Sequence, residues 1–219
     1  MITLYGSMHS RANRCAWMLK ELGVAYESAP TNFQSGETRE PAFLAINPNG
    51  RVPVLDDDGF RLFESLAINL YLARKFGGPL APQSHQEDAL ATQWSFWALS
   101  EIEKPLLLAA ANLKLFDAEV RRPAEVEIAL RKLSRPWGVL EKRLAQSPYV
   151  LGDRFTVADL NIAAVMTLAL SCDIDIDAWP RLKGWLHDCL FRPAATDWRT
   201  VSFRIPRPAS ELGVLSMFV

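Results

Sequence analysis

Two glycines and two prolines fall within six residues, Gly77-Gly78-Pro79-Leu80-Ala81-Pro82. No helix or strand runs through such a stretch, because glycine loses the most backbone entropy on ordering and proline fixes φ and lacks a donor. The chain is thereby divided: short β-prone runs alternate with helical patterns before the break, and only helical patterns follow it. This sets the expected domain limits, with residues 1–76 as one domain, 77–86 as linker, and 87–219 as a helical domain ending in an irregular tail. A chain of 219 residues is long enough to bury a core in each part.

Before the break, residues 2–5 are β-prone and Gly6-Ser7-Met8-His9 is a loop. Ala12, Cys15, Ala16, Leu19 and Leu22 then recur at helical spacing, with Arg11, Arg14, Lys20 and Glu21 on the other side. Ser10 is the natural N-cap and Gly23 the natural stop. Residues 24–29 follow as a second strand which, being joined to the first through a helix, should lie parallel to it in a right-handed unit. Residues 37–46 fit a short helix with Phe43 and Ile46 inward. Residues 52–55 and 60–63 flank Asp56-Asp57-Asp58-Gly59 as a hairpin. Ser65 caps a helix over 66–76 that is apolar on nearly every face and is therefore buried between layers. The order is β-α-β, then α-β-β-α.

After the break, helices are expected over 86–115, 124–145, 157–172 and 179–191. Thr156-Val157-Ala158-Asp159 has the form of a capping box, with Phe155 and Leu160 placed as a hydrophobic staple. Asp159 is thus assigned to structure rather than to chemistry. The net charge of -1 gives no reason to expect nucleic acid or an anionic membrane as partner. The first residues lack the pattern of a signal peptide, and the most apolar later segment, 162–170, is too short to span a bilayer, which takes about 20 residues. Cys15, Cys172 and Cys189 are odd in number and form neither a redox pair nor a zinc spacing, which fits a reducing, cytoplasmic compartment and no metal site.

Pro53 stands inside the apolar run Val52-Pro53-Val54-Leu55, where a ladder needs its missing N–H. Two readings are open: an ordinary trans edge proline, which four residues alone favour, or a cis bond that turns the backbone of Val52 toward a ligand.

Four stretches, in order and spacing, resemble the soluble (cytosolic-type) glutathione S-transferase superfamily, in its bacterial-like form with a serine-type active site. Leu4-Tyr5-Gly6-Ser7-Met8-His9-Ser10-Arg11 resembles its active-site turn and first helix. Asn47-Pro48-Asn49-Gly50-Arg51-Val52-Pro53-Val54-Leu55 resembles the motif that holds the glutathione backbone, and Phe63-Glu64-Ser65 the γ-glutamyl motif. Gly152 through Phe155-Thr156 to Ala158-Asp159 resembles the signature of the helical domain. Only the tail after about Trp198 lies outside the pattern. The resemblance implies an α/β plus all-α protein: a thioredoxin-like β-α-β/α-β-β-α domain followed by an all-helical one.

It also implies a transferase that takes glutathione as co-substrate and attacks a small electrophile in detoxification, working as a homodimer. Isomerase, dehalogenase or peroxidase chemistry, or a non-catalytic interaction protein, are the alternatives on the same scaffold. The implied roles fall residue by residue. Val52, before a cis Pro53, offers its N–H and C=O to the cysteinyl backbone of glutathione. Ser65, at a helix start, receives the γ-glutamyl carboxylate, Glu64 pairs with the ammonium, and Arg39 and Arg51 hold the glycine carboxylate or orient the peptide. Met8 replaces a proline common in the family, and Thr38 replaces a histidine or lysine that touches glutathione.

The thiol must become thiolate to react. Lowering its pKa by about two units takes roughly 2.7 kcal/mol, and a hydrogen bond to a charged group contributes about 1.5–3 kcal/mol. One hydroxyl is sufficient; Ser10 is assigned ahead of Ser7. Tyr5 is expected to pack, His9 to be a loop residue, and Cys15 to lie in the core. Arg11 and Arg14 oppose the dipole of their helix, so they either lend potential to the thiolate or are simply solvated. Trp94, Trp97, Leu99, Leu106 and Phe116 are expected to line the electrophile pocket, while Trp198, Phe203 and Phe218 sit in a tail whose packing the sequence leaves open.

Overall fold

Strand β1 (Ile2–Tyr5) buries Ile2 and Leu4 and half-exposes the alternate positions, the period-two pattern of a strand with one face on a core. The structure is a computed structural model and describes residues 1–195. Trp198, Phe203 and Phe218 lie outside the described residues. β1 sits inside a four-stranded sheet of order β2-β1-β3-β4, parallel to β2 (Glu27–Ala29) and antiparallel to β3 (Val54–Asp57), which pairs antiparallel with β4 (Phe60–Phe63). The mixed sheet expected from the sequence is therefore present.

Helix α1 (Ala12–Glu21) connects β1 to β2 and turns Cys15, Ala16, Met18 and Leu19 into the core. Two boundaries move. α1 begins two residues after Ser10, with Arg11 at the cap position. Even so, the Ser10 hydroxyl still accepts the Ala12 N–H at 3.1 Å. β2 is half its expected length, because the Val24 N–H is bound to the Leu19 carbonyl at 3.0 Å, closing the helix end rather than joining the ladder.

The helix expected over 37–46 is split into a 3-10 turn, Glu37–Arg39, and α2 (Pro41–Leu44). Pro41 forces Glu40 into extended backbone, φ -66° and ψ 145°. Phe43 is buried as expected; Ile46 is half-buried. β3 starts at Val54 rather than Val52, since Pro53 brings no N–H to the ladder. α3 (Ser65–Phe76) includes Ser65 as its first residue, so Glu64 and not Ser65 occupies the cap position.

The helical half begins with α4 (His85–Trp97), capped by Ser84 Oγ on the Glu87 N–H at 3.1 Å. Its path continues through a π segment, Ala98–Glu103, into α5 (Lys104–Ala110) and a second π segment, Ala111–Leu115. α6 (Pro123–Leu144) and α8 (Pro180–Leu190) each start on a proline, where a missing N–H costs nothing; their expected starts were one residue off. α7 (Val157–Ser171) is buried along nearly all its length and packs against α1, α3, α4, α5 and α8.

Its capping box forms: Thr156 N–H and Oγ1 reach one oxygen of Asp159 at 3.0 and 2.9 Å. The other oxygen accepts the Val150 N–H at 2.9 Å and Trp185 Nε1 at 3.1 Å. Burial pushes the Asp159 carboxyl up. With all these bonds turned to local architecture, Asp159 is structural, as expected. Phe155 and Leu160 are both buried.

Candidate active site

Gly6 is where the site elements converge. It adopts φ +129°, and a Cβ there would lie 2.7 Å from Ala12 Cβ, 3.1 Å from Val52 Cβ and 3.2 Å from Ser10 Oγ. The absence of a side chain lets the end of β1, the start of α1 and the Val52-Pro53 turn touch. Ser10 and Val52, separated in sequence by α1, β2, a 3-10 turn and α2, are thereby brought side by side.

Ser10 Oγ donates to the Ser7 carbonyl at 2.7 Å while accepting the Ala12 N–H. Its proton is thus held in the turn by a carbonyl, a partner that a stronger acceptor can displace by a rotation of the hydroxyl. Ser7 contributes its backbone to this turn and is half-buried. Tyr5 packs edge-on against Phe43, ring centroids 6.5 Å apart, and His9 is exposed in the turn. Cys15 is fully buried; burial pushes its thiol up and makes it inert.

The Val52-Pro53 peptide bond is cis. Asn47 shapes the approach to it: its Nδ2 donates to the Arg51 carbonyl at 2.7 Å and its Oδ1 accepts the Asn49 N–H at 3.0 Å. Neither polar group of the Val52 backbone joins the ladder, which starts one residue beyond Pro53. Gly50, at φ +60°, lets the Thr38 carbonyl come within 2.8 Å of where a Cβ would stand, beside the Arg39 side chain. Arg39 and Arg51 are both exposed. Thr38 is buried and turned into the fold.

Glu64 holds φ 73° and ψ 108°, a conformation that non-glycine residues rarely adopt and that concentrates at ligand-binding turns. Its side chain is exposed, whereas Ser65 directly after it is buried. As the first residue of α3, Ser65 sits among the open N–H groups and positive potential of the helix start.

Arg11 and Arg14 do not stand in solvent. Both reach Glu103, at the end of the first π segment: Arg11 Nε at 3.0 Å and Arg14 Nη2 at 2.6 Å. Arg14 Nη1 also lies 3.4 Å from Ser65 Oγ. Burial pulls the Arg14 pKa down against the opposing pull of Glu103. Burial would raise the Glu103 carboxyl, but Arg14 and Arg11 outweigh it and hold it below its ordinary value.

Behind them, Asn69 Nδ2 bonds the Arg14 carbonyl at 3.4 Å and Asn161 Oδ1 at 2.8 Å, and Asn161 Nδ2 bonds Ser95 Oγ at 2.8 Å. α1, α3, α4 and α7 are joined in one buried polar network. Glu103, Asn69 and Asn161 were not singled out from the sequence. The signal for Glu103 was a carboxylate set within the buried positions Ala98, Ile102, Leu106 and Ala109.

Of the residues expected to face an electrophile, Leu106 and Phe116 are fully buried core. They pack too deeply to meet a ligand. Trp94 and Trp97 form an edge-to-face pair at 5.0 Å and, with Leu99, lie half-buried on the core. A cavity of about 360 Å³ lies elsewhere, between β2 and α2, lined by Tyr5, Thr31, Glu37, Phe43 and Ile46 among others.

Comparison with known proteins places the chain in a family. The family profile of the glutathione S-transferase N-terminal domain matches residues 1–74, and that of the C-terminal domain matches residues 99–193. A probable glutathione S-transferase of Oryza sativa subsp. japonica is 36% identical over 204 residues, 88% of this chain and 93% of the relative. Glutathione S-transferase 1 of Zea mays is 34% identical, over 87% of this chain and 92% of its own length. Among solved structures, glutathione S-transferase-I bound with lactoylglutathione superposes with a TM-score of 0.82 at 30% identity, covering 91% of this chain and 99% of its own. The theta class enzyme of Xanthomonas axonopodis pv. citri with glutathione bound gives 0.83 at 31% identity, over 89% and 94%. With a cis-proline turn and a serine turn meeting at Gly6, and both halves matched by family profiles, the chain belongs to the glutathione S-transferase family.

Proposed function

We propose that this protein is a glutathione transferase in which the Ser10 hydroxyl stabilises the glutathione thiolate for attack on a small, hydrophobic electrophile. The observation that carries the reading is the convergence at Gly6 of Ser10 and Val52. Val52 offers an unladdered N–H and C=O to the cysteinyl unit, which brings the sulfur toward the start of α1. There the Ser10 proton leaves the Ser7 carbonyl for the more strongly accepting thiolate, a charge-assisted bond. The sulfur then forms a C–S bond, the leaving group departs with its electron pair, and the thiol proton has already gone to solvent.

Ser65 and the N–H groups that open α3 receive the γ-glutamyl carboxylate. Glu64, exposed beside it, takes the ammonium. Arg39, exposed at the end of the 3-10 turn beside Gly50, and Arg51, exposed next to Gly50 in sequence, serve the glycine end. Ser7 is the second candidate for the thiol contact, in the same turn. The domain limits proposed are 1–76, 77–86 and 87–219; the end of α3 at Phe76 supports the first, while α4 already starts at His85, inside the proposed linker.

Two wider readings go with it. A homodimer is supported by apolar side chains left exposed on neighbouring elements: Phe60 and Phe63 on β4, Phe76 at the end of α3, and Leu90 and Phe96 on α4. A cytoplasmic location is supported by three free, buried cysteines, as reducing compartments keep thiols unpaired. No helix among the described residues is long and apolar enough to cross a membrane.

The test is turnover with a panel of electrophiles, beginning with 1-chloro-2,4-dinitrobenzene, with the thioether product identified by mass. Enzyme-dependent thioether from at least one electrophile is expected. Tight glutathione binding with no thioether from any of them, and no isomerised, dehalogenated or reduced product, would reduce the protein to a binding module.

A further inference from the structure

Resting on the reading that glutathione binds at Ser65, we propose that Glu103 is a positioning residue which acts through Arg14 on the γ-glutamyl carboxylate. Stability alone does not account for the pair. Arg14 and Glu103 side chains are only 11% and 12% exposed, and a buried ion pair is commonly no more stabilising than apolar residues of the same size. A cation in the opening turn of α1 also opposes the helix dipole.

The geometry gives the pair a task instead. Glu103 takes Arg14 Nη2 at 2.6 Å and leaves Nη1 aimed at Ser65 Oγ, 3.4 Å away. The Cys15 thiol to Ser65 carbonyl contact at 3.6 Å and the Asn69 bond to the Arg14 carbonyl at 3.4 Å fix α1 against the start of α3. The guanidinium has five N–H donors, and among the described residues its bonds are those to Glu103 and Ser65. Donors remain for a carboxylate seated on Ser65. Glu103 comes from the helical half of the chain, on a π segment, the wide turn that often re-aims side chains at functional sites. The helical half thereby sets the orientation of a cation in the glutathione half.

The experiment is a double-mutant cycle on the full chain, Glu103→Gln, Arg14→Met and both together. Calorimetric titration would use two probes: glutathione, and 4-aminobutyryl-cysteinylglycine, which lacks the γ-glutamyl carboxylate. Each single variant is expected to bind glutathione about tenfold more weakly, the scale of one charge-assisted bond. The double variant should be no weaker than Arg14→Met, because Glu103 acts only through Arg14. Affinity for the decarboxylated probe should change less than about twofold on the same scale. In turnover, KM for glutathione should rise while kcat and KM for the electrophile hold.

Losses that add in the double variant, or that are equal for both probes, or unchanged or tighter binding by Glu103→Gln, would overturn the proposal. If Arg14→Met does not fold by thermal unfolding, Arg14→Lys carries the cycle, since lysine keeps the charge without the fork. A wild-type protein that binds no glutathione defeats the underlying reading; wild-type binding with indifferent variants defeats this proposal alone.

Discussion

At the scale of single residues, the site depends on positions whose backbone no ordinary side chain would choose. Gly6 at φ +129° has Ala12, Val52 and Ser10 within van der Waals reach of an absent Cβ. Gly6→Ala should lower unfolding free energy by about 1–3 kcal/mol and weaken glutathione binding by parting Ser10 from Val52. Urea denaturation and calorimetry check both, and an unchanged midpoint would contradict the convergence. The motifs that hold Ser10, Val52, Pro53, Glu64 and Ser65 are legible in the sequence, and the cis bond at Val52-Pro53 is found. Arg14 was visible as a cation in the wrong turn of a helix, but its partner was not. Glu103 is 89 residues away, and nothing local marks such a pairing except a charge within an apolar stripe.

At the scale of elements, the sequence pattern foretold the order of strands and helices, and the differences have local causes. Proline at the first helical position moved α6 and α8, Pro41 split the segment after β2, and the closing bond at Val24 shortened β2. The capping box of α7 was legible because both partners are three residues apart. Asp159→Ala would strip partners from buried donors of Val150, Thr156 and Trp185. The cost should be on the order of 3 kcal/mol or more, read as a lower urea midpoint, with kcat per folded molecule retained. A loss below about 1 kcal/mol, the ordinary worth of one exposed cap, would show the box to be dispensable.

At the scale of the whole molecule, Glu103 joins the two halves, and its titration makes the contribution of that pair depend on pH. Its carboxyl is held below the ordinary value by Arg14 and Arg11 against the opposing effect of burial. A depressed carboxylate stabilises fully above its unfolded value near pH 4.3, and the contribution disappears as pH falls through the lower folded value. The stability difference between wild type and Glu103→Gln should therefore be constant at pH 6–8 and shrink below about pH 4.3. Denaturant midpoints measured at both ends of that range decide it, and a difference that grows in acid has the wrong sign.

The exposed apolar side chains Phe60, Phe63, Leu90 and Phe96 carry the second prediction at this scale. Sedimentation equilibrium should give twice the chain mass for wild type and a monomer for Phe96→Glu combined with Phe60→Glu. A monomeric wild type at micromolar concentration would remove the dimer.

The central claim is that this fold brings Ser10 to the sulfur of a bound glutathione. The most direct measurement is the ultraviolet absorbance of the bound thiolate as a function of pH, with saturation established by titration calorimetry, in wild type, Ser10→Ala and Ser7→Ala. Wild type should titrate the bound thiol about two units below its free value, and Ser10→Ala should return it by about one to two units while glutathione still binds. A thiolate that survives Ser10→Ala unchanged and disappears in Ser7→Ala would contradict the account.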